Sequence, residues 1–145
     1  MKKKKLVIII LLLLIIILFC SYYIYDWKIF KNFTFLNKAK KYDDLKLEIR
    51  IDKLYGEEVF STTDQNIINQ FITLTNEFEV KQTKIHDHAE GYKITIYNDN
   101  IYLDFSVEGN YIIIKNDFYK VKAIGKPRNY IYSKISEFID KNKTL

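Results

Sequence analysis

Both histidines of the chain fall within five residues, His86-Asp87-His88-Ala89-Glu90. On an extended strand His86 and His88 would project to one face, as two imidazoles holding one zinc or copper ion must. Asp87 would then point away, whereas in a loop Asp87 or Glu90 could supply a third ligand. The stretch is polar and Gly91 follows it, so a solvated loop between Ile85 and Tyr92 is the preferred reading and a metal site at His86, His88 and Glu90 the alternative. These two imidazoles are also the side chains expected to titrate near neutral pH.

Other chemistry is thinner. None of the serines, Ser21, Ser61, Ser106, Ser133 and Ser136, sits in a Gly-x-Ser-x-Gly turn. The paired acids Asp43-Asp44 and Glu57-Glu58 lie among charged, turn-forming neighbours, not in the apolar surroundings that raise a carboxyl pKa for acid catalysis. One cysteine, Cys20, excludes an internal disulfide and a Cys-based zinc site. Four well-separated glycines exclude a Gly-rich phosphate loop. No catalytic residue and no cofactor is assigned, and the chain is read as a binding protein and not an enzyme.

A second group of residues suits recognition. Lys93, Thr95 and Tyr97 alternate along one segment, and Tyr102, Asp104 and Ser106 along the next, with the turn Asn98-Asp99-Asn100 between them. In a hairpin, Tyr97 and Tyr102 flank the turn and come close across it. Exposed tyrosine offers a large contact area for little lost rotamer entropy. Tyr97, Tyr102, Lys93 and Asp104 are therefore the candidate binding residues, for a protein, peptide or envelope partner.

The elements that would hold these residues follow from periodicity. Leu45, Leu47, Ile49 and Ile51 alternate with Lys46, Glu48, Arg50 and Asp52, the pattern of a half-buried strand. Val59–Ser61 reads as a short return strand after the Tyr55-Gly56-Glu57-Glu58 turn. Thr62 and Gln65 have capping-box spacing, with Thr63 and Asp64 as competing caps. The helix they start carries Ile67, Phe71, Leu74 and Phe78 on one stripe, with Ile68 and Ile72 beside it. The period then returns to two through Val80–Ile85, read as a strand, and then through Tyr92–Tyr97, Ile101–Val107, Tyr111–Lys115 and Phe118–Ala123, four strands of an antiparallel meander with short turns. Asn129 can cap a last helix with Ile131, Ile135, Phe138 and Ile139 on its apolar side.

Ahead of this domain the sequence reads as a membrane segment. Leu6–Phe19 is strongly apolar throughout, and no charge occurs until Asp26. At 1.5 Å per residue this covers about 30 Å, a bilayer core. Lys2–Lys5 would stay cytoplasmic, and Tyr22, Tyr23, Tyr25 and Trp27 would form an aromatic belt at the far interface. Residues Ile17-Leu18-Phe19-Cys20 resemble a lipoprotein lipobox but carry Phe19 where that pattern has a small residue, so anchorage at Cys20 is the alternative. The net charge of +5 is mostly the four lysines of this tail. From Lys28 onward the two signs nearly cancel, so nucleic-acid binding is not expected.

The Lys-block anchor, the strand, the helix capped around Thr62-Thr63-Asp64-Gln65, the meander ending Phe118-Tyr119-Lys120-Val121 and the closing helix together resemble, in layout, small membrane-anchored extracytoplasmic domains of Gram-positive bacteria. The resemblance implies a binding or accessory module and carries over no site residue. The expectation is thus an α+β protein. It has a cytoplasmic tail (1–5), a single-pass signal-anchor (6–27) in the lipid bilayer, a juxtamembrane tether (28–43) and an extracytoplasmic domain (44–145). That domain is a small meander sheet with two helices on one face. The rival expectation is a structural or accessory subunit of a membrane complex.

Overall fold

The computed structural model describes residues 2–28, 30–51, 57–84, 90–123, 125–127 and 129–143, the side chains of 2–6 and 23–28 excepted. The chain divides into two compact units, residues 1–31 and 32–145.

The first unit is dominated by helix α1 (Lys2–Lys28). Val7 to Phe19 are apolar without interruption, and every large hydrophobic among them is about half exposed or more. The membrane expectation is corrected here: among the described residues, no helix is long and apolar enough to cross a membrane. The strongly apolar stretch Leu6–Phe19 covers only about 20 Å at 1.5 Å per residue. A bilayer core needs about 30 Å. The expected transmembrane signal-anchor at 6–27 is withdrawn with this. So are the single-pass topology with a cytoplasmic amino terminus and extracytoplasmic domain, and the alternative anchorage at Cys20. Phe19 and Tyr22 are exposed on α1, and Cys20 is an exposed free thiol. The side chains of Leu6, Tyr23, Tyr25 and Trp27 lie outside the described residues.

The second unit is built on a sheet. Its strands are β1 (Lys31–Asn32), β2 (Lys46–Ile51), β3 (Glu58–Thr62), β4 (Glu79–Thr83), β5 (Gly91–Tyr97), β6 (Tyr102–Glu108), β7 (Tyr111–Ile114) and β8 (Asp117–Val121). They form one eight-stranded sheet in the order β1-β4-β8-β7-β6-β5-β2-β3. The expected small meander is therefore only its centre, β5 to β8. The pairings β2 with β3, β2 with β5 and β4 with β8, all antiparallel, extend it on both sides.

Register gives the sheet two unlike faces. Ile49, Ile94 and Phe105 lie in one row, with Phe60 opposite Ile49. Leu47, Ile96 and Leu103 form the next row, and Ile51, Tyr92, Val107 and Ile112 another. Helices α2 (Gln65–Asn76) and α3 (Tyr130–Lys143) cover this apolar face. Phe138 of α3 meets Phe60 and Phe71 edge-on at 5.9 and 5.1 Å. Asp64 caps α2, its carboxylate accepting from the Asn66 and Ile67 amides at 2.8 and 3.4 Å. Gly91 is required where β5 meets β6, since a Cβ there would sit 2.0 Å from the Val107 carbonyl oxygen.

Residues 33–41 are not a tether. Phe33, Leu36 and Ala39 are buried in the same core, and Phe35–Lys41 is a 3-10 helix. Phe33 packs 5.6 Å from Phe105, and its amide donates to the Phe78 carbonyl. The lysines Lys38, Lys40 and Lys41, with Asn37, conceal the few positions that turn inward.

Candidate functional site

The second face of the sheet carries no described helix of this unit. Strands β2, β5 and β6 place Lys46, Tyr97 and Tyr102 in one row, Glu48, Thr95 and Asp104 in the next, and Arg50, Lys93 and Ser106 in a third. Beyond Ser106 the third row continues into half-buried Ile113 and Phe118. Tyr97, Tyr102, Lys93 and Asp104, chosen from the sequence, therefore share one face. Tyr97 and Tyr102 are direct cross-strand partners, their ring centroids 6.2 Å apart and tilted by 42°. Tyr102 is 64% exposed, the largest exposure among the described tyrosines of this unit.

A polar network underlies this pair. Glu48, half-buried between neighbouring strands, accepts from the Tyr97 hydroxyl at 2.8 Å and from Lys46 at 2.7 Å. Its other carboxylate oxygen accepts from Arg50 at 3.3 Å. Lys46 and then Tyr97, as hydrogen-bond donors to the ionised form, hold the Glu48 carboxyl below its ordinary range, outweighing the opposing effect of burial. Glu48 and Tyr97 in turn raise the Lys46 ammonium. The Lys46 nitrogen also lies 5.8 Å from the centre of the Tyr97 ring. The Tyr97 ring is thus held from its hydroxyl end, while Tyr102 beside it stays open to solvent. The pattern Lys46-x-Glu48-x-Arg50 was legible as the wet side of a strand. Its convergence on Tyr97 required the β2–β5 register.

At the turn end of the pair the surface dips into a cleft of about 510 Å3 between the segment preceding β2 and the β5–β6 turn. Asn98 joins the two walls. Its side-chain oxygen accepts from the Asn100 and Ile101 amides at 2.8 and 3.0 Å, and its amide nitrogen donates to the Asp43 carbonyl at 2.9 Å. Asp44, on the opposite wall, takes a left-handed φ of 55°, a conformation that aspartate tolerates better than most residues. The sequence marked Asn98 as a turn residue and nothing marked its reach across to Asp43.

The proposed metal ligands are not brought together by anything described. His86, Asp87 and His88 lie outside the described residues. Glu90 is exposed, with its backbone carbonyl accepting from the Gly109 amide at 3.4 Å. Among the described residues, no three histidine, cysteine or acidic side chains are grouped as metal ligands.

A further phenol cluster lies on the helix side. Tyr92 and Tyr132 stack at 4.6 Å with a 9° interplanar angle, and Tyr92 shares a 2.8 Å hydrogen bond with Ser136. Tyr132 is pushed up to about 12, first by its hydrogen bond with Tyr92, then by burial and by the charges of Tyr92 and Glu90. These rings dock α3 on β5. No protein-family model, no curated protein and no solved structure matches the chain.

Proposed function

We propose that the protein is a non-catalytic binding module whose recognition surface is the Tyr97–Tyr102 end of the sheet face opposite α2 and α3. The observation that carries this is the direct cross-strand pairing of the two tyrosines, one braced through Glu48 and one 64% exposed. Such a pair presents an aromatic platform on rigid strands, with little side-chain entropy left to lose when a partner docks. Lys93 and Asp104, of opposite sign on the same face, add orientation more than affinity. Ile113 and Phe118 extend the apolar contact area along the neighbouring strands.

The test is photo-crosslinking in intact cells from a benzophenone side chain at position 102, with position 137 on the outer side of α3 as the control site. A discrete product from 102, absent from 137 and lost in a Lys93→Glu/Asp104→Lys variant of unchanged stability, supports the reading. Products that are the same from both positions, or indifferent to the charge exchange, sink it.

A further inference from the structure

We infer that the cleft beside Tyr97 binds a neutral polyhydroxylated chain, a short oligosaccharide, an assignment that rests on reading this end of the sheet as the recognition surface. At about 510 Å3 the cleft is of ligand-binding size. Its chemistry then narrows the ligand.

The lining is polar and carries both signs. Lys41 and Lys46 stand against Asp43, Asp44 and Asp99, and Lys46 is already engaged by Glu48. A strongly anionic ligand would meet three carboxylates, and an apolar one would strand them without water. The Asp43, Asp44 and Asp99 carboxylates and the Lys41 ammonium have no side-chain partner among the described residues. They remain hydrated until replacement donors and acceptors arrive. A saccharide hydroxyl is both donor and acceptor, so one ligand type satisfies carboxylates, the Asn100 side-chain amide and an ammonium together.

Aromatic rings complete the arrangement. Tyr42, 36% exposed, and Tyr97 both line the cleft, and Tyr102 continues the Tyr97 surface outward. A pyranose ring has an apolar C–H side that lies flat on such a ring while its hydroxyls face the polar wall. Asn98 ties the two walls together through its bond to the Asp43 carbonyl and braces its own turn with two more, before any ligand arrives, so little ordering is left to be done on binding. Discrimination would come from the polar wall, because a site that pairs hydroxyls rejects ligands lacking them.

The experiment is amide-resolved NMR titration of the full chain, kept in a non-glycosidic detergent because the α1 surface is apolar. The probes are cellotetraose, chitotetraose and, as the competing cation, spermidine. Saturable shifts with either tetrasaccharide, confined to residues 41–46 and 97–102 with a Kd of about 1 mM or tighter, are expected. Tyr42→Ala and Asp99→Ala, both at exposed positions, should each weaken binding about tenfold with the rest of the spectrum unchanged. Absence of shifts with both sugars overturns the assignment, as does a response at these residues to spermidine alone. If sugars fail while position 102 still crosslinks specifically, the ligand class is wrong and the recognition surface stands. If both fail, the surface itself is misassigned.

Discussion

Glu48 is the residue on which the tyrosine platform depends. Its carboxyl is held below the ordinary value of about 4.5 by the Lys46 and Tyr97 hydrogen bonds. A depressed native pKa means that the unfolded chain takes up the proton more readily. The stabilisation is therefore present above about pH 4.5 and lost as pH falls through the native value below it. Urea midpoints measured from pH 7 downward should fall more steeply below 4.5 in the parent than in Glu48→Gln; parallel curves would show that the network contributes nothing. At the alkaline end the sign reverses. Tyr132, raised from 10 to about 12, contributes stability that is complete below pH 10 and lost as pH climbs through 12. Tyr132→Phe should flatten the loss between those values, read as the midpoint of unfolding. Within the core, Phe71 is wholly buried and meets Phe138 at 5.1 Å. Phe71→Ala should cost about 3–5 kcal/mol in denaturant unfolding.

At the scale of elements, the local signals and the long-range ones parted. The alternation of Leu47, Ile49, Ile94, Ile96, Leu103 and Phe105 was readable because strand period and burial coincide. The α2 start was readable because its cap is within three residues of its donors. Asp64 acts as the cap through the Asn66 and Ile67 amides, and Thr62 instead accepts from the Asp64 amide. Asp64→Ala should therefore cost about 1 kcal/mol, within a range of about 0.5–2, in thermal or urea unfolding, with Asp64→Asn nearly neutral. Helix α3 was readable from its Ile131, Ile135, Phe138 and Ile139 stripe, all four buried, but the way it docks was not. The Tyr130 amide in its first turn donates at 3.0 Å to Asn110, which sits in the β6–β7 turn twenty residues earlier. No local pattern encodes such a contact. The candidate site divides the same way. Tyr97 and Tyr102 flank one turn and could be paired from sequence, whereas Glu48 is 49 residues from Tyr97 and Asp43 is 55 from Asn98.

For the whole molecule, the largest correction concerns where the folded unit begins. Composition made 28–43 look like a tether and 6–27 like a bilayer span. Neither description survives: Phe33 and Leu36 are core residues, and among the described residues no helix is long and apolar enough to cross a membrane. Composition alone does not reveal which of a lysine-rich stretch's few apolar side chains turn inward. A fragment starting at residue 32 should consequently be more stable than one starting at 44. Burying Phe33 and Leu36 contributes about 1.5–3 kcal/mol each, a large part of the about 5–15 kcal/mol that holds a small domain together. Equal unfolding midpoints for the two fragments would contradict the packing of residues 33–41.

The claim that the Tyr97–Tyr102 end of the sheet is covered by a partner is tested most directly by tyrosine footprinting of the full chain. Modification rates read by mass spectrometry would be compared between the purified protein and intact cells. Tyr102 should react fast when purified, in keeping with its 64% exposure, and become protected at least several-fold in cells. Half-buried Tyr119, on the helix side of the sheet, should change little. Equal reactivity of Tyr102 in both settings would contradict the account.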